Sequence, residues 1–195
     1  MKNLILAGFL FVSLTAYSQS NILPAEIQIK TALLAAPEEE RSGAKVYGYN
    51  ENGEMVVLRE GTNNMICIAD NPNVEGIQVA CYSKKLEPFM ARGRELSAEG
   101  KSEIEKRKIR KAEVESGKLK MPDAPSTLYV FSGSYENYNN ETGELKDGKF
   151  RYVIYIPYAT TESTGLPAKP EAPGMPWLMD PGTHRAHIMI SPANN

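Results

Sequence analysis

The sequence predicts an α+β fold: an antiparallel sheet of about six or seven strands covered by two or three helices, with a long Pro-rich coil near the C-terminus. Three observations predict it. Short runs rich in Val, Ile, Tyr and Cys recur between tight-turn signals, as half-buried strands require. A charged stretch of helical period separates two groups of these runs. Five of the 13 prolines fall within residues 159–182, where missing N–H donors exclude a central strand.

The chain opens on a targeting pattern. In residues 1–18, Lys2 is the basic start, Leu4 to Leu14 the apolar run, and Ala16-Tyr17-Ser18 a small-x-small cleavage site. This reads as a cleaved secretory signal peptide, too short to span a bilayer, and no later stretch is apolar and long enough to do so. The expected location is periplasmic or secreted. Next, LPAEIQIKTALLAAP reads as a short helix, with Pro24 in its first turn, Pro37 ending it, and Ile29, Ala32, Leu33 and Ala36 on one face. With the polar connector EEERSG it forms a segment 19–43 ahead of a single globular domain, 44–195.

Four strand signals follow. AKVYGY (44–49) and MVVLRE (55–60) flank Asn52-Gly53, a pair that tolerates the positive φ of a hairpin turn. MICIA (65–69) and GIQVACY (76–82) flank NPNVEG, and such short connections favour antiparallel pairing. Cys67 and Cys81 stand symmetrically about that turn, so simple register sets them opposite each other. In an exported chain that spacing predicts a structural disulfide, with buried free thiols as the alternative and a catalytic thiol third, since no neighbour of either cysteine suggests a lowered pKa.

The period then changes. EPFMARGRELSAEG places Phe89, Met90, Gly93 and Leu96 on one helical face, with Pro88 in the first turn and Gly100 at the end. A second helix, about 102–116, starts on a capping-box pattern, Ser102 to Glu105, and stops at Gly117. Its stripe is thin, Ile104, Ile109 and Ala112, and pairs such as Glu103 with Arg107 support it. TLYVFSG (127–133) and FRYVIYIPY (150–158) are strands, with Phe150, Tyr152, Ile154, Ile156 and Tyr158 sharing a face expected to join the core. The polar segment between them is either a long loop or a hairpin with its own arms. HIMIS (187–191) is the last strand.

Charge narrows the function classes. The formal net charge of −2 provides no global basic field for nucleic acid. Residues 84–120 are locally basic, with 12 Lys/Arg against 7 Glu. A solvated helical face is the simpler reading, and docking to an anionic envelope partner the sharper one.

The candidate site is the Pro-rich segment with its tail, because long ordered connections are uncommon and often functional. It holds Glu162, Ser163, Trp177, Asp180, His184, Arg185 and His187, and both histidines of the chain lie in MDPGTHRAHIMI. Trp177, Asp180, His184, Arg185 and His187 are the expected binding residues for a small molecule or an envelope partner. Arg185 could hold a carboxylate or phosphate by its fork. His184 and His187 could ligate a metal if a bend converged them and an acid such as Asp180 or Glu162 joined. Otherwise each imidazole bonds a carbonyl and fixes the turn. No GxSxG elbow and no HExxH or Cys-rich zinc spacing is present. The cofactor is left open.

Three stretches, MICIAD with GIQVACYSKKLEPFMARGRELSAEG, STGLPAKP, and MPWLMDPGTHRAHIMISP, together resemble a group of exported bacterial proteins with no assigned activity. The resemblance runs from about Met65 onward. It implies a single exported domain and carries over no catalytic residue. The leading expectation is therefore an exported binding or accessory protein. The alternative is a hydrolase, metal-assisted or not, built on His184 and His187.

Overall fold

The computed structural model describes residues 22–193, so the expected signal peptide lies outside the described residues. The chain begins with helix α1 (Ala25–Leu33) and continues into strands β1 (Lys45–Tyr49), β2 (Met55–Arg59), β3 (Met65–Ile68) and β4 (Ile77–Ser83). Helices α2 (Glu87–Ala98) and α3 (Glu103–Glu115) follow, then β5 (Ser126–Gly133). A small hairpin, β6 (Tyr138–Asn139) and β7 (Glu144–Leu145), leads to β8 (Lys149–Tyr155). The single-turn helix α4 (Thr161–Thr164), β9 (Trp177–Met179) and β10 (His187–Ile190) complete the described chain.

The α+β class holds, but the sheet differs from the expected one. It has eight strands in the order β2-β1-β3-β4-β5-β8-β10-β9, and it is mixed. β1 and β3 run parallel, with Val46 beside Cys67, and the other neighbours are antiparallel. A meander would have placed β3 beside β2. Instead, residues 60–64 cross the start of β1, held by Thr62 N–H donating to the Gly43 carbonyl at 2.8 Å. The Arg59 guanidinium braces the crossing by donating to the carbonyls of Arg41 (2.6 Å) and Ala44 (2.8 Å). Gly61 makes the crossing possible, since a Cβ there would stand 2.5 Å from the backbone nitrogen of Lys45. Nothing in the hydrophobic period records that close approach, which is why short connections alone predicted antiparallel pairing.

Both sheet faces are covered. On one, Val46, Cys67, Val79, Cys81 and Phe131 pack under α1 and the turn after it, through Ala32, Ala35 and Ala36. On the other, Ile66, Tyr82, Val153 and Tyr155 pack under α2, through Leu86 and Phe89. The Cys67–Cys81 disulfide joins directly opposed residues of β3 and β4, and both are fully buried.

Helix α2 carries Pro88 in its first turn and buries Phe89 and Leu96, as its period predicts. A charged network also ties it to the sheet. The hydroxyls of Tyr47 and Tyr82 donate to Glu87 at 3.2 and 2.6 Å, and Arg94 donates to Glu87 and to Tyr82 Oη at 2.7 Å each. Every member has a charged partner or donor, which makes a half-buried ion pair tolerable. Helix α3 carries the Ser102–Glu105 capping box. Its inward side differs from the expected stripe. Ile104 is 80% exposed, while Ile109, Glu113 and Val114 are half-buried, and Arg92 of α2 grips Glu113 at 3.0 Å. Glu103 pairs with Lys106 rather than Arg107. An ion pair thus does work that the hydrophobic pattern assigned to isoleucine.

The polar segment 134–148 is a hairpin with its own arms, β6 and β7. In β8 the deeply buried side chains are Val153 and Tyr155, while Phe150, Tyr152 and Ile154 on the opposite face are half-buried. Within 159–182 the structure forms α4 and the edge strand β9, elements that the proline count did not predict.

Candidate functional site

At the end of the sheet where β1 and β3 finish and β4 begins, a cleft of about 550 Å³ opens between the β3–β4 turn, the start of α1 and the β6–β7 hairpin. Gln28 of α1 fixes one wall. Its amide donates to the carbonyls of Leu23 (2.7 Å) and Tyr49 (2.9 Å) and accepts from Tyr49 N–H at 2.8 Å. The helix thereby caps the end of β1 and aligns Tyr49. Thr31, one turn on, shares a buried 2.7 Å hydrogen bond with the Tyr138 hydroxyl and holds the small hairpin in place. Tyr135 stacks obliquely on Tyr138 at 5.9 Å and accepts from Asn140 at 3.2 Å.

Asp70, the first residue beyond Ala69 at the end of β3, is the ionisable group of this cleft with the clearest perturbation. Its Oδ1 accepts from Gln78 N–H at 2.7 Å. Burial nevertheless pushes its pKa up to about 6, overcoming the backbone N–H groups of Gln78 and Asn71 that favour the charge. Burial also raises the phenols of Tyr49 and Tyr138, and the Asp70 charge adds to both. A half-buried acid with a displaced pKa in a concave site marks a functional candidate.

The sign of this shift fixes a test. An acid whose folded pKa exceeds its unfolded value of 3.8 favours the fold fully below that value and loses the contribution as pH rises through about 6. Asp70→Asn keeps the acceptor for Gln78 and removes the titration. The variant should melt above wild type at pH 7.5, and the difference should shrink as pH falls and vanish only below about pH 3. A difference independent of pH would show that Asp70 titrates normally.

The residues expected from the sequence lie at the other end of the sheet. His187 opens β10 opposite Tyr155, and their rings stack at 5.1 Å. Its Nδ1–H donates to the Arg185 carbonyl at 2.6 Å, so this imidazole does fix the turn. His184 is buried edge-on against Phe89 at 6.0 Å. Its Nε2 and the Nε of Arg185 are buried without a partner among the described residues. Burial lowers both histidine pKa values, with Arg185 and Arg110 lowering His184 further, which favours the neutral form of each imidazole. Asp180, at φ 54°, pairs loosely with Arg185 at 3.4 Å. The Arg110 guanidinium lies over the Phe89 ring at 4.2 Å.

These groups are near one another, and none of them lines the Asp70 cleft. No group of three or more His, Cys, Asp or Glu among the described residues could hold a metal ion. Ser163 is occupied in the α4 cap, accepting from Thr160 N–H at 2.9 Å, and Glu162 bonds its neighbour Thr161. Trp177 stands opposite Met189 in the β9–β10 pair. It lines an open groove of about 790 Å³ with Lys149, Arg151, Met175 and Met189, and neither histidine lines that groove. The charges of α3 are mixed in sign: Lys111 pairs with Glu115, and Lys118, just beyond the helix, reaches Glu113.

The sequence reading missed Asp70, Tyr49, Thr31 and Tyr138. They come from four separate elements, and none stands in a motif. The one local signal is an acid ending an apolar strand just before Asn71-Pro72, read there only as a turn. Compared with known proteins, the chain matches no family model, no curated protein and no solved structure.

Proposed function

We propose that the chain is an exported binding protein that holds a small ligand in the Asp70 cleft. One observation carries the reading: a cleft of ligand size joins convergent polar groups (Asp70, Tyr49, Tyr138, Asn140) to an apolar rim. Val74 and Tyr135 in that rim are 58% and 52% exposed, more than a side chain with a core partner would be. The leader-like residues 1–18 and the Cys67–Cys81 disulfide support the exported half, and among the described residues no helix is long and apolar enough to cross a membrane. The hydrolase alternative has no comparable support, because neither histidine is hydrogen-bonded to a hydroxyl or an acid among the described residues.

A fragment screen by amide NMR on the protein lacking residues 1–18 tests the location. Binders should move the signals of Tyr49, Asp70, Val74 to Ile77 and Tyr135 to Asn140, and leave the Trp177 indole and both imidazoles in place. Shifts concentrated on Trp177, His184 and His187 would overturn the assignment in favour of the tail.

A further inference from the structure

The lining of the cleft has one sign. It contains two acids, Asp70 and Glu75, three tyrosines, Tyr49, Tyr135 and Tyr138, and no lysine, arginine or histidine among the described residues. The titratable groups that share the cleft with Asp70 are the Tyr49 phenol on β1, the Tyr135 and Tyr138 phenols at the β6–β7 hairpin and Glu75 in the β3–β4 turn, and Tyr49 and Tyr138 feel its charge. None can neutralise a carboxylate. Two half-buried acids elsewhere in the fold are matched by arginine: Glu87 by Arg94 at 2.7 Å and Glu113 by Arg92 at 3.0 Å. Asp70 receives backbone N–H groups instead of a counter-charge.

An anion would add like charge to this site, and a neutral ligand would leave the carboxylate uncompensated in a partly dry wall. A cation compensates it, and electron-rich phenol rings attract cations as well. The remaining lining is apolar: Ile22, Leu23, Pro72, Val74 and Ile77. We propose that the cleft takes a small organic cation, an ammonium group carried on an apolar body, with the Asp70 carboxylate as its counter-charge. The proposal rests on the reading of the cleft as the ligand site, and goes further by fixing the charge and shape of the ligand. A volume of about 550 Å³ suits a ligand of one or two rings.

Proton linkage follows. Ammonium binding requires the ionised form of Asp70, so affinity increases with pH until the group is fully ionised. With a pKa of about 6, the ionised fraction at pH 5 is about one tenth, so an ammonium ligand should bind about tenfold more weakly there than at pH 7.5.

The experiment uses three probes of one shape on the protein without residues 1–18: benzylammonium, benzyl alcohol and benzoate. Dissociation constants are read from the cleft amides by NMR. Benzylammonium should bind at least tenfold tighter than the alcohol at pH 7.5, and benzoate should be weakest. Asp70→Asn, with an otherwise unchanged spectrum, should remove the preference. Should that variant fail to fold, the tenfold loss at pH 5 in wild type decides the matter alone. Equal binding of benzylammonium and the alcohol, or a preference for benzoate, overturns the cation proposal and leaves the cleft as a ligand site. Shifts at the cleft from none of the three overturn both readings.

Discussion

Phe89→Ala should destabilise the protein by about 3–5 kcal/mol, the largest loss expected from a single substitution here. The ring is 2% exposed and packs in one cluster with Tyr82, Leu86, Val153 and Tyr155. Tyr155 lies at 6.1 Å on one side and the edge of His184 at 6.0 Å on another, with the Arg110 guanidinium 4.2 Å above. Truncation removes the apolar partner of a helix, a strand and the tail together. It also leaves Arg110 without the ring that compensates part of its desolvation. Phe89→Leu keeps much of the volume and should cost less. Urea midpoints of the two variants measure the effect. A loss below about 1 kcal/mol for Phe89→Ala would mean that α2 does not depend on this anchor.

Loss of the disulfide should cost about 3 kcal/mol, because the bridge closes a loop of sequence separation 14 in the unfolded chain. Both sulfurs sit in the core face under α1, where Cys81 Sγ lies 3.2 Å from the Ala32 carbonyl. With no proton on a bonded sulfur this is a packing contact, so reduction breaks no hydrogen bond there. The denaturation midpoint of Cys67→Ala/Cys81→Ala should match that of reduced wild type, and alkylation of the unfolded, unreduced protein should find no free thiol. A midpoint indifferent to reductant would show that the covalent link contributes nothing to stability.

The two predictions differ in how far the sequence anticipates them. Phe89, Met90, Gly93 and Leu96 recur at helical spacing, and Cys67 and Cys81 are symmetric about a turn, so local period and register were enough. The crossing at Gly61 was not legible, because it depends on one backbone passing another within a Cβ radius. Ile104 failed for a related reason. Period alone cannot show that Glu113 and Arg92 would supply the α2–α3 contact. The tail histidines were visible because histidine is rare in this chain, but rarity says nothing of cavities. The cleft was invisible because Gln28, Tyr49, Asp70 and Tyr138 meet only after β1 and β3 lie side by side in parallel. The unexpected strand pairing and the unexpected site are thus one event.

The sheet order also bears on self-association. One border of the sheet is β9, three residues long, with Pro176 just before it and Pro181 shortly after. Proline offers no N–H, and so short a strand gives an incoming chain little to add to. The opposite border, β2, has no such guard among the described residues and presents Val57 at 39% exposure. If copies of this protein stack at high concentration, strand-to-strand growth should begin at β2, and a charge placed at Val57 should slow it.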